Sequence, residues 1–207
     1  MLVSLPDQSW VDDVGPVGGI ELVVDDLSAP QAHDSAVEAV VPPYMRAWDT
    51  SLLRRMPRLR LVQLLTAGYD GLTGGVVPAG VALANAAGVH DASTAELALA
   101  LTLASQRGIP GFVRAQEIGR WERPGFLPSL ADRRVLLIGY GSVGHAIARR
   151  LLPFEVTVTA VASRARPGDE LVSTVHADTD LPWLLPEHDV VIVVVALTPA
   201  TRGLVDD

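Results

Sequence analysis

The residues with the clearest chemical potential lie between 139 and 144, where the chain reads Gly139-Tyr140-Gly141-Ser142-Val143-Gly144. Glycines at this spacing can cradle a pyrophosphate. The first permits a tight turn, the second lets phosphates approach bare backbone, and the third lets a helix pack against a strand. The chemistry needs backbone amides more than side chains, so Ser142 and Val143 are expected to offer N–H groups at a helix start. A glycine turn alone is a weak signal. Its weight comes from the apolar run Val135–Ile138 before it and from Val143, Ile147 and Leu151 after it, on one face of a helix that Pro153 ends. Val156–Ala162 then reads as the next strand, completing a βαβ unit.

The end of that second strand bears on which dinucleotide is held. A site for NAD places an acid about 20 residues after the glycines, to accept from the ribose 2′-hydroxyl. Here the chain reads Ala162-Ser163-Arg164-Ala165-Arg166, with no acid. A guanidinium and a hydroxyl suit a 2′-phosphate, so Ser163 and Arg164 point to NADP, with NAD left open. The alternative for these two residues is a solvated basic turn.

The elements needed to position this turn extend through the chain. Ile20–Val24, Ala36–Val41, Arg60–Leu65 and Val81–Ala84 read as strands, and Ser51–Met56 as a short helix stopped by Pro57. Alternating β and α elements imply parallel sheets covered by helices. Ser93 and Glu96 have capping-box spacing, which predicts a helix starting there. Its apolar body, Ala95–Ala104, predicts burial, between two domains. Gly108, Pro110 and Gly111 are expected to close or interrupt it, and Glu117–Ser129 reads as an ordered loop. Leu181–Leu185 reads as a short helix and Asp189–Leu197 as a β-branched strand.

Bulk properties bound the partners. Net charge is −8 over 207 residues, which disfavours nucleic acid and anionic membranes. There is no cysteine, so disulfides and thiolate metal sites are excluded. No apolar run approaches the ~20 residues of a membrane helix. A cytoplasmic protein is expected, with no basic leader before Val14. The histidines His33, His90, His145, His176 and His188 show no paired acid at a convincing sequence spacing, so no metal site is expected.

Four stretches resemble the D-isomer-specific 2-hydroxyacid dehydrogenase family: Leu65-Thr66-Ala67-Gly68-Tyr69-Asp70, Asn85 to Glu96, Val135 to Arg150, and Ala196-Leu197-Thr198-Pro199-Ala200-Thr201-Arg202-Gly203-Leu204. The resemblance implies an incomplete Rossmann domain, a doubly wound parallel sheet, over 93–207. Part of a flavodoxin-like α/β substrate domain would precede it over 1–92. It implies hydride transfer between a nicotinamide cofactor and a 2-keto or 2-hydroxy acid, with the substrate carboxylate held at Ala67 and Gly68. Thr94, Leu197 and Thr198 would line the cofactor, and a homodimer is the implied assembly. The family's catalytic Arg, Glu and His fall on segments beyond Asp207. No catalytic residue is therefore assigned, and the 207-residue piece is expected to be inactive by itself. A non-catalytic dinucleotide-binding or interaction protein is the other reading.

Overall fold

The computed structural model describes residues 1–72 and 74–206. The chain divides into two compact units, Met1–Val89 with Ala196–Asp207, and His90–Val195.

In the first unit, β1 (Leu2–Leu5) leads into α1 (Gln8–Val14), and β2 (Glu21–Val24), β3 (Val37–Val40), β4 (Leu61–Gln63) and β5 (Ala82–Ala84) follow. The strands pair in the order β2-β1-β3-β4-β5, and all pairs are parallel. This is the flavodoxin-like order, as the family resemblance implied. The sequence reading passed over β1 and α1. Four strand residues and seven helical ones are too few to show a period, but Asp7 carries a local signal. Its carboxylate accepts from the N–H groups of Ser9 and Trp10, capping α1. Ser51–Met56 proves to be a 3-10 turn over Thr50–Arg55, with Asp49 capping the Ser51 N–H. Val37, Val40, Leu53 and Val62, all fully buried, centre the core.

The second unit opens with α2 (Asp91–Gln106) and α3 (Ile109–Glu117). Two expectations fail here. The helix begins at Asp91, ahead of Ser93, whose hydroxyl donates back to the His90 carbonyl at 3.1 Å instead of capping. The helix is also not buried on every face. Ala95, Ala98, Leu99 and Leu103 pack into the core, while Leu97 and Leu101 are 59% and 62% exposed. A second helix follows where a break was expected, because Gly108 turns the chain in the left-handed region and Pro110 falls in the first turn of α3. There its missing N–H removes no helical bond.

The chain then forms β6 (Arg134–Ile138), α4 (Ser142–Leu151), β7 (Thr157–Ala162), β8 (Arg166–Pro167), β9 (Thr174–Ala177), α5 (Leu181–Leu184) and β10 (Val190–Val193). The sheet order is β10-β6-β7-β9-β8. The first four positions reproduce the 4-1-2-3 run of a Rossmann sheet, with β6 as its first strand. The sheet is not wholly parallel, because the short β8 pairs antiparallel with β9. β10 stops four residues before Leu197. Val194 still donates to Ile138 O at 2.8 Å, but its neighbour β6 turns away at Gly139 and offers nothing further to pair with. Val135, Leu137, Ile147, Leu151 and Ala160 are fully buried at the centre of this unit.

Candidate functional site

The turn from β6 to α4 is held on both sides. Gly139 N–H donates to Val161 O of β7 at 2.8 Å, and the chain after β10 closes over its other flank. Gly139 has φ +107, and a Cβ there would sit 2.3 Å from Val194 O. Only glycine meets both conditions. A Cβ on Gly144 would sit 2.1 Å from Gly139 O, so the helix packs on the turn through bare backbone. Gly141 is the contrast: a Cβ there would meet nothing within 4 Å. Two glycines are required by the protein's own packing, and the one between them faces open space.

Gly141 is also the N-cap of α4, and no side chain caps this helix end. The first N–H groups of a helix lack intrahelical partners, and here they are left for whatever approaches the open face. The helix end carries partial positive charge, so the fitting visitor is an anion.

Beside the turn lies a cavity of about 330 Å³ lined by Tyr140, Gly141, Ser142, His145, Arg166 and Asp169, among others. The Tyr140 hydroxyl donates to Asp169 Oδ1 and Oδ2 at 2.9 and 3.0 Å. Burial, and then the Asp169 carboxylate, raise the Tyr140 hydroxyl well above its ordinary pKa. The Leu171 N–H, and also the Tyr140 hydroxyl, hold Asp169 below the usual carboxylate range. Arg166 donates to Tyr140 O, with its guanidinium carbon 5.9 Å from the centre of the Tyr140 ring. His145 Nε2 lies 3.7 Å from Asp169 Oδ2 and 3.6 Å from Glu170 Oε1.

The expectation that no histidine meets an acid is thus corrected. His145 has two, His176 Nδ1 lies 3.4 Å from Asp180 Oδ2, and His33 meets Asp25. Two of these groupings, Asp25 with His33 and Asp34, and His145 with Asp169 and Glu170, bring potential ligand atoms within 4.8 Å of one another. The pairing of His145 with Asp169 and Glu170 joins residues far apart in sequence, which spacing alone does not show. The Asp169 wall was also missed. Its signal was Pro167-Gly168-Asp169, which turns β8 into β9. A Cβ on Gly168 would lie against Val172 O, and Asp169 Oδ1 accepts from the Leu171 and Val172 N–H groups.

Ser163 and Arg164 follow β7 and are exposed. Among the described residues, no hydrogen bond or ion pair engages the Arg164 side chain, unlike Arg166. Thr94 sits half-buried in the first turn of α2, its N–H on His90 O at 3.0 Å.

In the first unit, Ala67 and Gly68 lie on the loop after β4. Asn85 Nδ2 donates to Ala67 O at 2.8 Å, and Thr66 Oγ1 to Gly68 O at 2.7 Å. With both carbonyls fastened from within, the orientation of the adjoining peptides is fixed. Leu197 is 47% exposed. Thr198 and Thr201 brace each other: Thr198 N–H donates to Thr201 Oγ1 at 2.8 Å, and that hydroxyl donates to Ala196 O at 2.6 Å. The Leu-Thr-Pro-Ala-Thr stretch is therefore a self-closed turn.

Residues 99–207, more than half of the chain, match the model of the D-isomer specific 2-hydroxyacid dehydrogenase, NAD binding domain. A D-3-phosphoglycerate dehydrogenase from Archaeoglobus fulgidus is 32% identical over 173 residues, covering 81% of this chain and 32% of that protein. A human glyoxylate reductase/hydroxypyruvate reductase is 31% identical over 151 residues, covering 70% of this chain and 46% of that protein. The chain thus spans less than half the length of these curated relatives. Among solved structures, a D-isomer specific 2-hydroxyacid dehydrogenase from Xanthobacter autotrophicus Py2, in complex with NADPH and MES, superposes with a TM-score of 0.76 at 27% identity. That match covers 98% of this chain and 65% of the other.

Proposed function

This chain belongs to the D-isomer specific 2-hydroxyacid dehydrogenase family, and from that premise we propose that it holds a nicotinamide dinucleotide, NADP in preference to NAD, for hydride exchange with a small 2-keto or 2-hydroxy acid. The observation that carries the reading is the open face at Gly141 between two glycines that the protein's own packing demands, at an uncapped helix end.

In this reading the N–H groups of Ser142 and Val143 bind the pyrophosphate, with Gly139, Gly141 and Gly144 giving the turn its shape. Ser163 and Arg164 take the 2′-phosphate. Arg164 has no partner to give up among the described residues, whereas Arg166 is engaged with Tyr140. Thr94, Leu197 and Thr198 line the cofactor, and the backbone of Ala67 and Gly68 holds the substrate carboxylate. When bound, the cofactor supplies the hydride at its nicotinamide C4, and the protein supplies orientation and electrostatics. No residue among 1–207 is assigned to proton transfer, so binding is the appropriate test.

The test is a titration of the chain with NADPH and NADH, read by calorimetry or nicotinamide fluorescence. Arg164→Ala is expected to weaken NADPH about 10- to 100-fold, as loss of a charged hydrogen bond of roughly 1.5–3 kcal/mol implies, and to leave NADH nearly unchanged. Equal weakening of both removes the specificity argument. Failure of the unaltered chain to bind either cofactor removes the whole reading.

The expected macromolecular partner is a second copy. Leu97 and Leu101 on α2 and Phe112 and Val113 on α3 leave apolar surface exposed, as a self-associating face would. Sedimentation of the chain with and without Leu101→Glu tests this.

A further inference from the structure

Two side chains in the first unit face each other across a gap that no hydrogen bond fills. Asp25 follows β2 and is 3% exposed. Its Oδ1 accepts from the Leu27 N–H at 2.8 Å, but Oδ2, fully enclosed, has no hydrogen-bond partner. His33 Nε2 is likewise enclosed and unpartnered, 3.7 Å from that oxygen. Asp34, 4% exposed, completes the group, with one ligand atom from each of the three within 4.8 Å of the others.

The gap is informative. At 3.7 Å it is too long for a hydrogen bond. Two ligands spanning a tetrahedral ion with bonds of about 2.0–2.1 Å stand roughly 3.4 Å apart. Buried polar groups are normally satisfied, and these two orphans point at one another.

We propose that Asp25, His33 and Asp34 form a binding site for a divalent transition-metal ion of the zinc class, with Asp25 Oδ2 and His33 Nε2 as the principal ligands. One imidazole with two carboxylates, and water as a fourth ligand, is a donor set such ions accept. Asp34 is the weaker ligand. Its Oδ2 already accepts from Arg55 Nε at 3.1 Å and from the Gln31 N–H at 3.2 Å. Arg55 would then orient the carboxylate from outside the coordination sphere. The His33 side chain as a whole is 27% exposed, so the site lies near the surface. Burial raises the Asp25 carboxyl above its ordinary value, a cost that a cation would offset.

The role is structural. Asp25 directly follows β2, while His33 and Asp34 open the turn into β3, so the ion would staple one crossover of the sheet. The inference is independent of the cofactor reading. The His145–Asp169–Glu170 group does not compete, because it is largely exposed and Asp169 is engaged by Tyr140.

Chelator-treated chain is titrated with cobalt(II), read by visible absorption, and with zinc(II), read by calorimetry and thermal unfolding. One ion per chain, a rise in Tm of several degrees, and at least about 10-fold weaker binding by His33→Gln are expected, with Glu170→Gln unchanged. Should His33→Gln not fold, zinc must protect His33 of the unaltered chain from diethyl pyrocarbonate, read by mass spectrometry. Absence of saturable binding, equal affinity in His33→Gln, loss of binding in Glu170→Gln, or modification of His33 unaffected by zinc would each overturn the assignment.

Discussion

The glycine turn of the second unit and the Asp25–His33–Asp34 group of the first both follow β-strands in parallel sheets, yet they are built in opposite ways. The turn uses backbone from six consecutive residues, and its side chains serve mainly by being absent. The acidic group uses side chains, buried and brought together across a loop, with two polar atoms unmatched. A site made of backbone is decided by local sterics and leaves its mark in a short sequence window. One made of side chains is decided by how the loop between two strands folds, and Asp25, His33 and Asp34 stand at spacings that do not mark it.

The contrast breaks most sharply at Gly144. Gly144→Val drives side-chain atoms into Gly139 O, and overpacking against backbone should cost about 3 kcal/mol or more, read as a large fall in the denaturant midpoint. Gly141→Val should leave that midpoint nearly unchanged, because its Cβ meets open space, while cofactor binding falls more than about 100-fold. If both variants lose stability equally, the open face is an illusion of packing.

Tyr140→Phe sharpens the comparison at a side chain within the backbone site. It removes the hydroxyl donated to Asp169, and should cost about 1 kcal/mol of stability with a smaller change in cofactor affinity. Affinity falling more than stability would move Tyr140 from bracing the turn to touching the ligand.

The smallest effect carries the most telling sign. Because burial raises the folded-state pKa of Asp25, folding favours its protonated form. That contribution is present below the ordinary carboxylate value and is lost as pH rises through the raised one. In chelator, Asp25→Asn should therefore raise Tm near neutral pH, and the gain should vanish in acid. The Leu27 N–H keeps an acceptor in the amide oxygen. With zinc present, the same variant should be the less stable one. Thermal melts from pH 3 to 8, with and without zinc, check both signs.

Legibility in the sequence followed the same division. Strands such as Val135–Ile138 and Val156–Ala162 fell within a residue of their observed bounds, because buried parallel strands are unbroken apolar runs. Gly139 and Gly144 were legible because each has its own steric reason, while Gly141 faces open space. What escaped was short or non-local. The two residues of β8 and the single buried residue of β9, Val175, give no period. α3 was hidden because Gly108 and Pro110 look like breakers, although one is a hinge and the other a tolerated first-turn residue. Nothing local joins His145 to Asp169, because the β8–β9 turn sets that pairing.

The wall that Val194 and Val195 form against Gly139 has a consequence for the order in which the protein is made. A ribosome that has just added the last residue of the glycine turn must add about fifty more before the chain reaches 194. Until then the turn is bounded on one side only. The nascent chain spends that interval with the apolar edge of β6 awaiting its neighbour, exposed to misassociation.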